Sequence, residues 1–301
     1  MIEITGLCKE FEGEDMEALK QVTLHVKKGS IYGLLGSNGA GKTTLLKTIA
    51  GIYKQDQGQV LIDEQPVFEN TELKKRIIFL PDALYFFPQS TIKQLANFYR
   101  SVYPTWDEER FQKLHEAFPI ELHKKVHRMS KGMQRQVAFW LALSAMPDVL
   151  ILDEPLDGLD PVMRRKIKNL LVQDVAERQM TILISSHNLR EVEDLCDHVG
   201  ILHQGQLLIE KELDDLKSDV HKIQVAFDRD VPLAFYEDLE ILYEEQRGSV
   251  QLCIVRGKQD KLVSRIRSYK PLIFDILPLT LEEIFIYEMG DVGYEIENII
   301  V

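Results

Sequence analysis

Gly36-Ser37-Asn38-Gly39-Ala40-Gly41-Lys42-Thr43-Thr44 sets glycines among small residues and ends in a lysine and two hydroxyls. Glycines at 36, 39 and 41 let backbone N–H groups approach phosphate oxygens with no Cβ in the way. The spacing is that of the phosphate-binding loop G-x-x-x-x-G-K-[ST], so all of residues 36–44 are expected to contact a nucleotide. In such a loop Lys42 reaches the β- and γ-phosphates as a point charge, and the Thr43 hydroxyl ligates Mg²⁺. Far downstream, Val149-Leu150-Ile151-Leu152 runs into Asp153-Glu154, an apolar strand ending in two carboxylates. Such a pair can hold the magnesium of a bound triphosphate and activate a water. Together the two stretches point to ATP hydrolysis.

These groups need elements to position them. Residues 31–35 form a short apolar run, as a buried strand does, and residues 45–50 continue as a helix ended by Gly51. Strand, glycine turn and helix are the setting the loop requires, and the helix N-terminus adds its dipole. Further strands are expected at 2–7, 22–26, 60–62, 77–80, 149–152, 181–184, 199–203 and 206–209, with a turn around Gly13 and a hairpin across Gly205. Helices are expected at 91–103, at 107–118 with Asp107 as N-cap, from 131 to about 146, and at 161–178. Strands alternating with helices imply an α/β fold with a mostly parallel, covered sheet.

After residue 217 the texture changes. Strands at 223–227, 250–255 and 272–276, with helices at 231–238, 258–270 and 280–289, suffice for a small α+β domain. The expected division is therefore 1–217 and 218–301. No Lys or Arg follows Lys270. This acidic end reads as a solvated surface ahead of a binding role.

The 301 residues are 45% hydrophobic and 28% charged, ordinary globular material with ample core. A net charge of -12 argues against nucleic acid as the main partner, which usually needs a basic face. Cys8, Cys196 and Cys253 are odd in number and far apart, with no disulfide or zinc spacing, as suits a reducing cytosol. No signal segment and no bilayer-spanning apolar run is visible, so membrane association is expected to go through a partner.

The segments between and after the two nucleotide motifs resemble those of ABC (ATP-binding cassette) ATPases. Met129-Ser130-Lys131-Gly132-Met133-Gln134-Arg135-Gln136 resembles their LSGGQ signature, Pro155-Leu156-Asp157-Gly158-Leu159-Asp160 their D-loop, and Ser185-Ser186-His187 their switch histidine. Phe11 sits where the family places an aromatic that stacks on adenine. The resemblance covers about residues 1–215. It runs closest to bacterial exporter ATPases paired with small permeases, among them bacitracin-, lantibiotic- and peptide-exporting systems, whose C-terminal extension the segment 281–285 also resembles.

The resemblance implies a P-loop ABC ATPase domain that forms a head-to-tail dimer, with ATP and Mg²⁺ between one chain's P-loop and the partner's Ser130, Lys131 and Gly132. It implies Asp153 on the metal, Glu154 as general base, His187 at the γ-phosphate, and Asp160 at the dimer contact. It also implies a membrane permease partner and a place on the cytoplasmic face of the membrane. The rivals are a soluble ABC ATPase acting on ribosomes or DNA, and a regulatory nucleotide-binding module without turnover.

Three departures stand out. Asp82 follows Pro81 where the family's Q-loop has glutamine; an aspartate there can ligate Mg²⁺ and serve catalysis, or merely cap a turn. Lys131 replaces a glycine and joins His123, Lys124, Lys125, His127, Arg128 and Arg135 in one basic cluster, either attracting ATP across the dimer or forming a solvated loop. Tyr85-Phe86-Phe87-Pro88 is an aromatic run suited to docking a permease helix in a groove, or to ordinary core packing. Trp106 and Trp140 read as core residues.

Overall fold

A computed structural model describes residues 1–11, 17–228, 235 and 239–284. The expected turn around Gly13, the helix at 231–238 apart from Phe235, and the last helix beyond residue 284 lie outside the described residues. The chain divides into two compact units, Met1–Glu210 and Lys211–Val301.

In the first unit, β1 (Ile2–Lys9) and β2 (Leu19–Val26) form an antiparallel pair, followed by β3 (Ile31–Leu35), α1 (Lys42–Ile49), β4 (Gln57–Ile62) and β5 (Gln65–Pro66). Next come α2 (Thr71–Lys74), β6 (Ile77–Leu80), α3 (Ile92–Val102), α4 (Glu108–Ala117) and α5 (Lys131–Ser144). The unit continues through β7 (Val149–Asp153), α6 (Pro161–Arg178), β8 (Thr181–Ser186), α7 (Leu189–Glu193), β9 (His198–His203) and β10 (Gln206–Glu212).

Two sheets result. The six-stranded sheet has the order β10-β9-β3-β8-β7-β6, and β9, β3, β8, β7 and β6 run parallel. Its central strands β3, β7 and β8 are buried along their whole length, which is why they read as unbroken apolar runs. The four-stranded sheet, β2-β1-β4-β5, is antiparallel. The expected mostly parallel sheet is thus joined by a separate antiparallel one. Its strands turn only one face inward, as the buried-exposed alternation of β2 records. Ile2, Ile4 and Leu24 from that sheet, Leu45 and Ile49 from α1, and Leu34, Val149, Ile151 and Leu183 from the parallel strands share one core.

The parallel register fixes where chemistry can occur. Ile31 lies opposite Ile182 and Leu152 opposite Ile184, so β3, β7 and β8 end side by side. The crevice outside the carboxyl ends of such strands is where α/β sheets bind ligands.

Caps set the helix starts. Asp107 accepts the Arg110 N–H at 2.9 Å, and Thr91 forms a reciprocal capping box with Gln94. Trp140 is fully buried, stacks on Phe111 at 4.7 Å, and donates to the Phe111 carbonyl at 2.8 Å. Trp106, expected in the core, stands half-buried just before α4 with its indole N–H on Glu108. The three cysteines are buried and free.

The second unit holds α8 (Leu213–Asp219), β11 (Val220–Ala226), β12 (Glu240–Arg247), β13 (Val250–Arg256), α9 (Gln259–Ser268) and β14 (Ile273–Leu277). Its antiparallel sheet has the order β12-β13-β11-β14. Ile223, Val225, Cys253 and Val255 share a core with Leu262 and Ile266 of α9. Sequence reading missed β12, because Glu240, Glu244 and Glu245 hide its strand pattern. An edge strand tolerates that charge, which also discourages sheet-to-sheet aggregation.

Candidate functional site

The glycine loop leaves the end of β3 and enters α1 within a cavity of about 510 Å³. Ser37, Asn38, Gly39, Gly41, Lys42, Thr43 and Thr44 line it, together with Phe11, Asp82 and Glu154. Two glycines are sterically required. A Cβ on Gly36 would lie 2.3 Å from the Leu202 carbonyl oxygen, and one on Gly41, at φ 104°, would lie 2.6 Å from that of Ala18. Gly36 and Ala40 stand behind the lining, Ala40 being buried with its carbonyl accepting from Gly205 at 3.0 Å. No side chain caps α1 at Gly41. Its first amides therefore remain available to an anion.

Lys42 is turned into the loop. Its Nζ donates to the carbonyls of Gly36 at 2.6 Å and Ser37 at 3.2 Å, and lies 3.5 Å from the Glu154 carboxylate.

The carboxylates come from the end of β7. Asp153 is buried, with one oxygen accepting from Thr43 Oγ1 at 2.7 Å and the other from Ser185 Oγ at 2.6 Å. The register that sets Asp153 beside Ser185 makes the second bond possible. Glu154 has φ 45°, and its N–H donates to Ser185 Oγ at 3.1 Å. One carboxylate oxygen faces Lys42. The other meets His187 Nδ1 at 3.0 Å and accepts the His187 N–H at 3.3 Å. His187 follows β8 directly. Next to it, Ser186 donates to the buried Glu191, and Asn188 caps α7. Burial pushes the Glu191 carboxyl above its ordinary range, against the opposing pull of Arg164.

Lys42, Thr43, Asp153, Glu154 and His187 are thus brought together from the ends of three neighbouring parallel strands. Phe11 borders the same cavity, its ring edge-to-face with Tyr53 at 5.3 Å. Asp82 also borders it, with Oδ1 accepting from Arg135 at 3.1 Å.

Asp153 and His187 join the site through their bonds to Thr43 and Glu154 without lining the cavity, and the remaining expected residues stand outside the lining too. Ser130 caps α5 by accepting the Met133 N–H at 3.3 Å, with Lys131 and Gly132 in the first turn. Asp160 caps α6, accepting from Val162 and Met163 at 3.0 Å each. Within the basic cluster, Lys124 pairs with Glu121 and Lys125 donates to Gln89. Arg135 turns inward to Glu154 and Asp82. Tyr85 and Phe87 are exposed and Phe86 half-buried, so the aromatic run is largely surface.

Sequence reading missed Ser185, Arg135 and Asp157 as contributors. Ser185 binds both Asp153 and Glu154, and Asp157 brings a ligand atom within 4.8 Å of those of Glu154 and His187. Only the position of Ser185 just before the Ser186-His187 pair hinted at this.

The donor set fits a magnesium nucleotide. Thr43 and Asp153 offer hard oxygen ligands to a divalent cation, and Lys42 with the amides of α1 offers positive charge to phosphates. When bound, the ion supplies neutralisation of charge on the phosphate oxygens.

Comparison with known proteins agrees with this geometry. The family model described as ABC transporter matches residues 19–157, and one described as "AAA domain, putative AbiEii toxin, Type IV TA system" matches residues 125–193. The ABC transporter ATP-binding protein YtrB of Bacillus subtilis (strain 168) is 38% identical over 290 residues, covering 96% of this chain and 98% of the relative. The bacitracin transport ATP-binding protein BcrA of Bacillus licheniformis is 31% identical, with 94% of each chain covered. A solved ATP-binding subunit of an ABC transporter superposes with a TM-score of 0.67 at 26% identity, over 72% of this chain and 92% of that one. Another ATP-binding cassette, solved as a dimer in a post-hydrolysis state with ADP and Pi, shares the fold at TM-score 0.65 and 23% identity, over 71% and 99%. With a P-loop and Glu154 lining one cavity, Asp153 bonded to Thr43 and His187 bonded to Glu154 beside it, and with relatives matched along nearly its whole length, this chain belongs to the ABC transporter ATP-binding proteins and is an ABC-type ATPase.

Proposed function

We propose that this protein is the ATP-hydrolysing subunit of an ABC exporter, working as a head-to-tail dimer on a separate membrane permease. One observation carries the reading: ion pairs and hydrogen bonds link Lys42, Glu154 and His187, and Thr43, Asp153 and Ser185 to Glu154, whereas Ser130 bonds the first turn of its own helix and, with Lys131 and Gly132, stands outside the cavity lining. A capped helix whose N-terminus is set apart from its own chain's phosphate loop suits a partner's nucleotide instead.

In this reading the P-loop amides and Lys42 bind the phosphates, Phe11 stacks on the adenine, and Thr43 and Asp153 hold Mg²⁺. Glu154 accepts the proton of the attacking water at a carboxylate oxygen. His187, hydrogen-bonded to that carboxylate, orients the water and contacts the γ-phosphate. Asp160 organises the contact between the two sites. ATP favours the closed dimer and loss of the γ-phosphate favours the open one, which is a population shift handed on to the permease.

The nucleotide-binding domain, expected to end at residue 217, corresponds to the first compact unit, Met1–Glu210, and the accessory domain to the second, so that α8 stays whole within the latter. No helix among the described residues is long and apolar enough to cross a membrane. In this reading attachment to the cytoplasmic face of the membrane runs through the permease, with the exposed Tyr85 and Phe87 as contact surface. The cargo class is amphipathic or antimicrobial peptides, supported by the relative named for bacitracin transport.

The test is co-purification of the tagged chain from membranes, followed by an ATPase assay. A multi-helix membrane protein retained in stoichiometric amount, with ATPase activity, is the expected result. Recovery with ribosomes or DNA instead would favour the soluble-ATPase reading.

A further inference from the structure

Glu154 adopts a left-handed backbone, φ 45°, which costs a residue with a Cβ conformational energy. Such a conformation persists where its surroundings over-determine it. Here both backbone polar groups are held by side chains of other elements. Ser185 of β8 accepts the N–H, and Arg135 of α5 donates to the carbonyl. The second guanidinium nitrogen of Arg135 donates to Asp82 twice, to its carbonyl at 2.8 Å and to Oδ1 at 3.1 Å. The Arg135 side chain is only 11% exposed although that of Asp82 is 60% exposed, so the arginine reaches inward from the surface pair. The same helix touches the segment after Glu154 once more: a Cβ on Gly132 would lie 2.9 Å from the Gly158 carbonyl oxygen.

We propose that Arg135 is a positioning residue for Glu154, and that Asp82 acts by aiming Arg135. One planar guanidinium links the loop after β6, the end of β7 and the start of α5. Its donors diverge in a fixed plane, which a single ammonium cannot reproduce. With the Asp82 carboxylate 60% exposed and screened by solvent, the Arg135–Asp82 ion pair by itself adds little stability. Its effect is to hold the Glu154 peptide, and so the angle at which the carboxylate faces Lys42 and His187. Arg135 then acts within its own chain, whereas Ser130, at the head of the same helix, serves the partner's nucleotide.

The inference rests on the proposed role of Glu154 as general base, and the experiment separates the two. Steady-state ATPase kinetics and ATP binding are measured on the full chain for wild type, Arg135→Gln, Arg135→Lys, Asp82→Asn, the Arg135→Gln/Asp82→Asn double variant and Glu154→Gln. Arg135→Gln should lower kcat roughly 10- to 100-fold, the scale of a catalytic group displaced by about 1 Å, with ATP affinity little changed. Arg135→Lys should lie nearer to Arg135→Gln than to wild type. Asp82→Asn should lose less than Arg135→Gln, and the double variant no more than Arg135→Gln alone, because the second residue acts through the first. Should Arg135→Gln fail to fold, Arg135→Lys is judged by the same kcat and affinity criteria. A kcat within about twofold of wild type, or a loss confined to KM, overturns the positioning role. Additive losses overturn the part given to Asp82. Slow Glu154→Gln with fast Arg135→Gln rejects only the positioning role, whereas full turnover by Glu154→Gln rejects the reading of Glu154 itself.

Discussion

Thr43 and Asp153 are joined by a 2.7 Å hydrogen bond that closes a separation of 110 residues. The bond ties the start of α1 to the end of β7. It places a hydroxyl and a carboxylate, both hard oxygen ligands, beside the inward-turned Lys42.

Lys42→Ala removes the cation that faces Glu154 and caps two loop carbonyls. ATP binding should weaken by roughly 10- to 100-fold, the loss of one charge-assisted contact of about 1.5–3 kcal/mol. The fold should persist. Titration with a fluorescent ATP analogue checks the affinity, and near-normal binding would count against the P-loop assignment.

Glu154→Gln keeps the side-chain shape but not the base. Turnover should fall by roughly 10²–10⁴-fold while ATP still binds. Because ATP then persists, the proposed dimer should accumulate in size-exclusion chromatography with Mg-ATP. A fully active variant would remove Glu154 from the mechanism.

Ser130→Arg places a bulky cation at the N-cap of α5, away from the chain's own cavity lining. ATP binding to the single chain should survive and ATP-driven dimerisation should fail. Mixed with Lys42→Ala chains, it should recover partial activity, since one composite site then carries both lesions and the other neither. Normal turnover by Ser130→Arg alone would contradict sharing of sites between chains.

Asp174 on α6 is 1% exposed and pairs with Arg178 at 3.1 Å and with Arg110 on α4. Asp174→Asn leaves two arginines without their counter-charge. Stability should fall by about 3–5 kcal/mol, the cost of breaking a buried pair from one side. Urea unfolding followed by circular dichroism measures it, and an unchanged midpoint would show the pair to be dispensable.

Contiguous chemistry and local periodicity were legible in the sequence. The P-loop is nine adjacent residues whose glycines answer to backbone sterics, so the bounds of β3 and the presence of α1 could be read directly. Asp107 and Pro161 marked their helices because capping and first-turn geometry are local. Tertiary structure alone decided which distant groups meet. Ser185 serves Asp153 and Glu154 through the parallel register of β7 and β8, which is a long-range property. Arg135 looked like one more member of a basic run, yet it turns inward, because Glu154 and Asp82 present carbonyls where α5 passes them. β12 escaped notice because an edge strand takes its conformation from pairing with β13, not from an apolar pattern of its own. Spacing along a chain encodes what one turn or one strand can do; the direction in which a long charged side chain points depends on packing between elements, which no local pattern records.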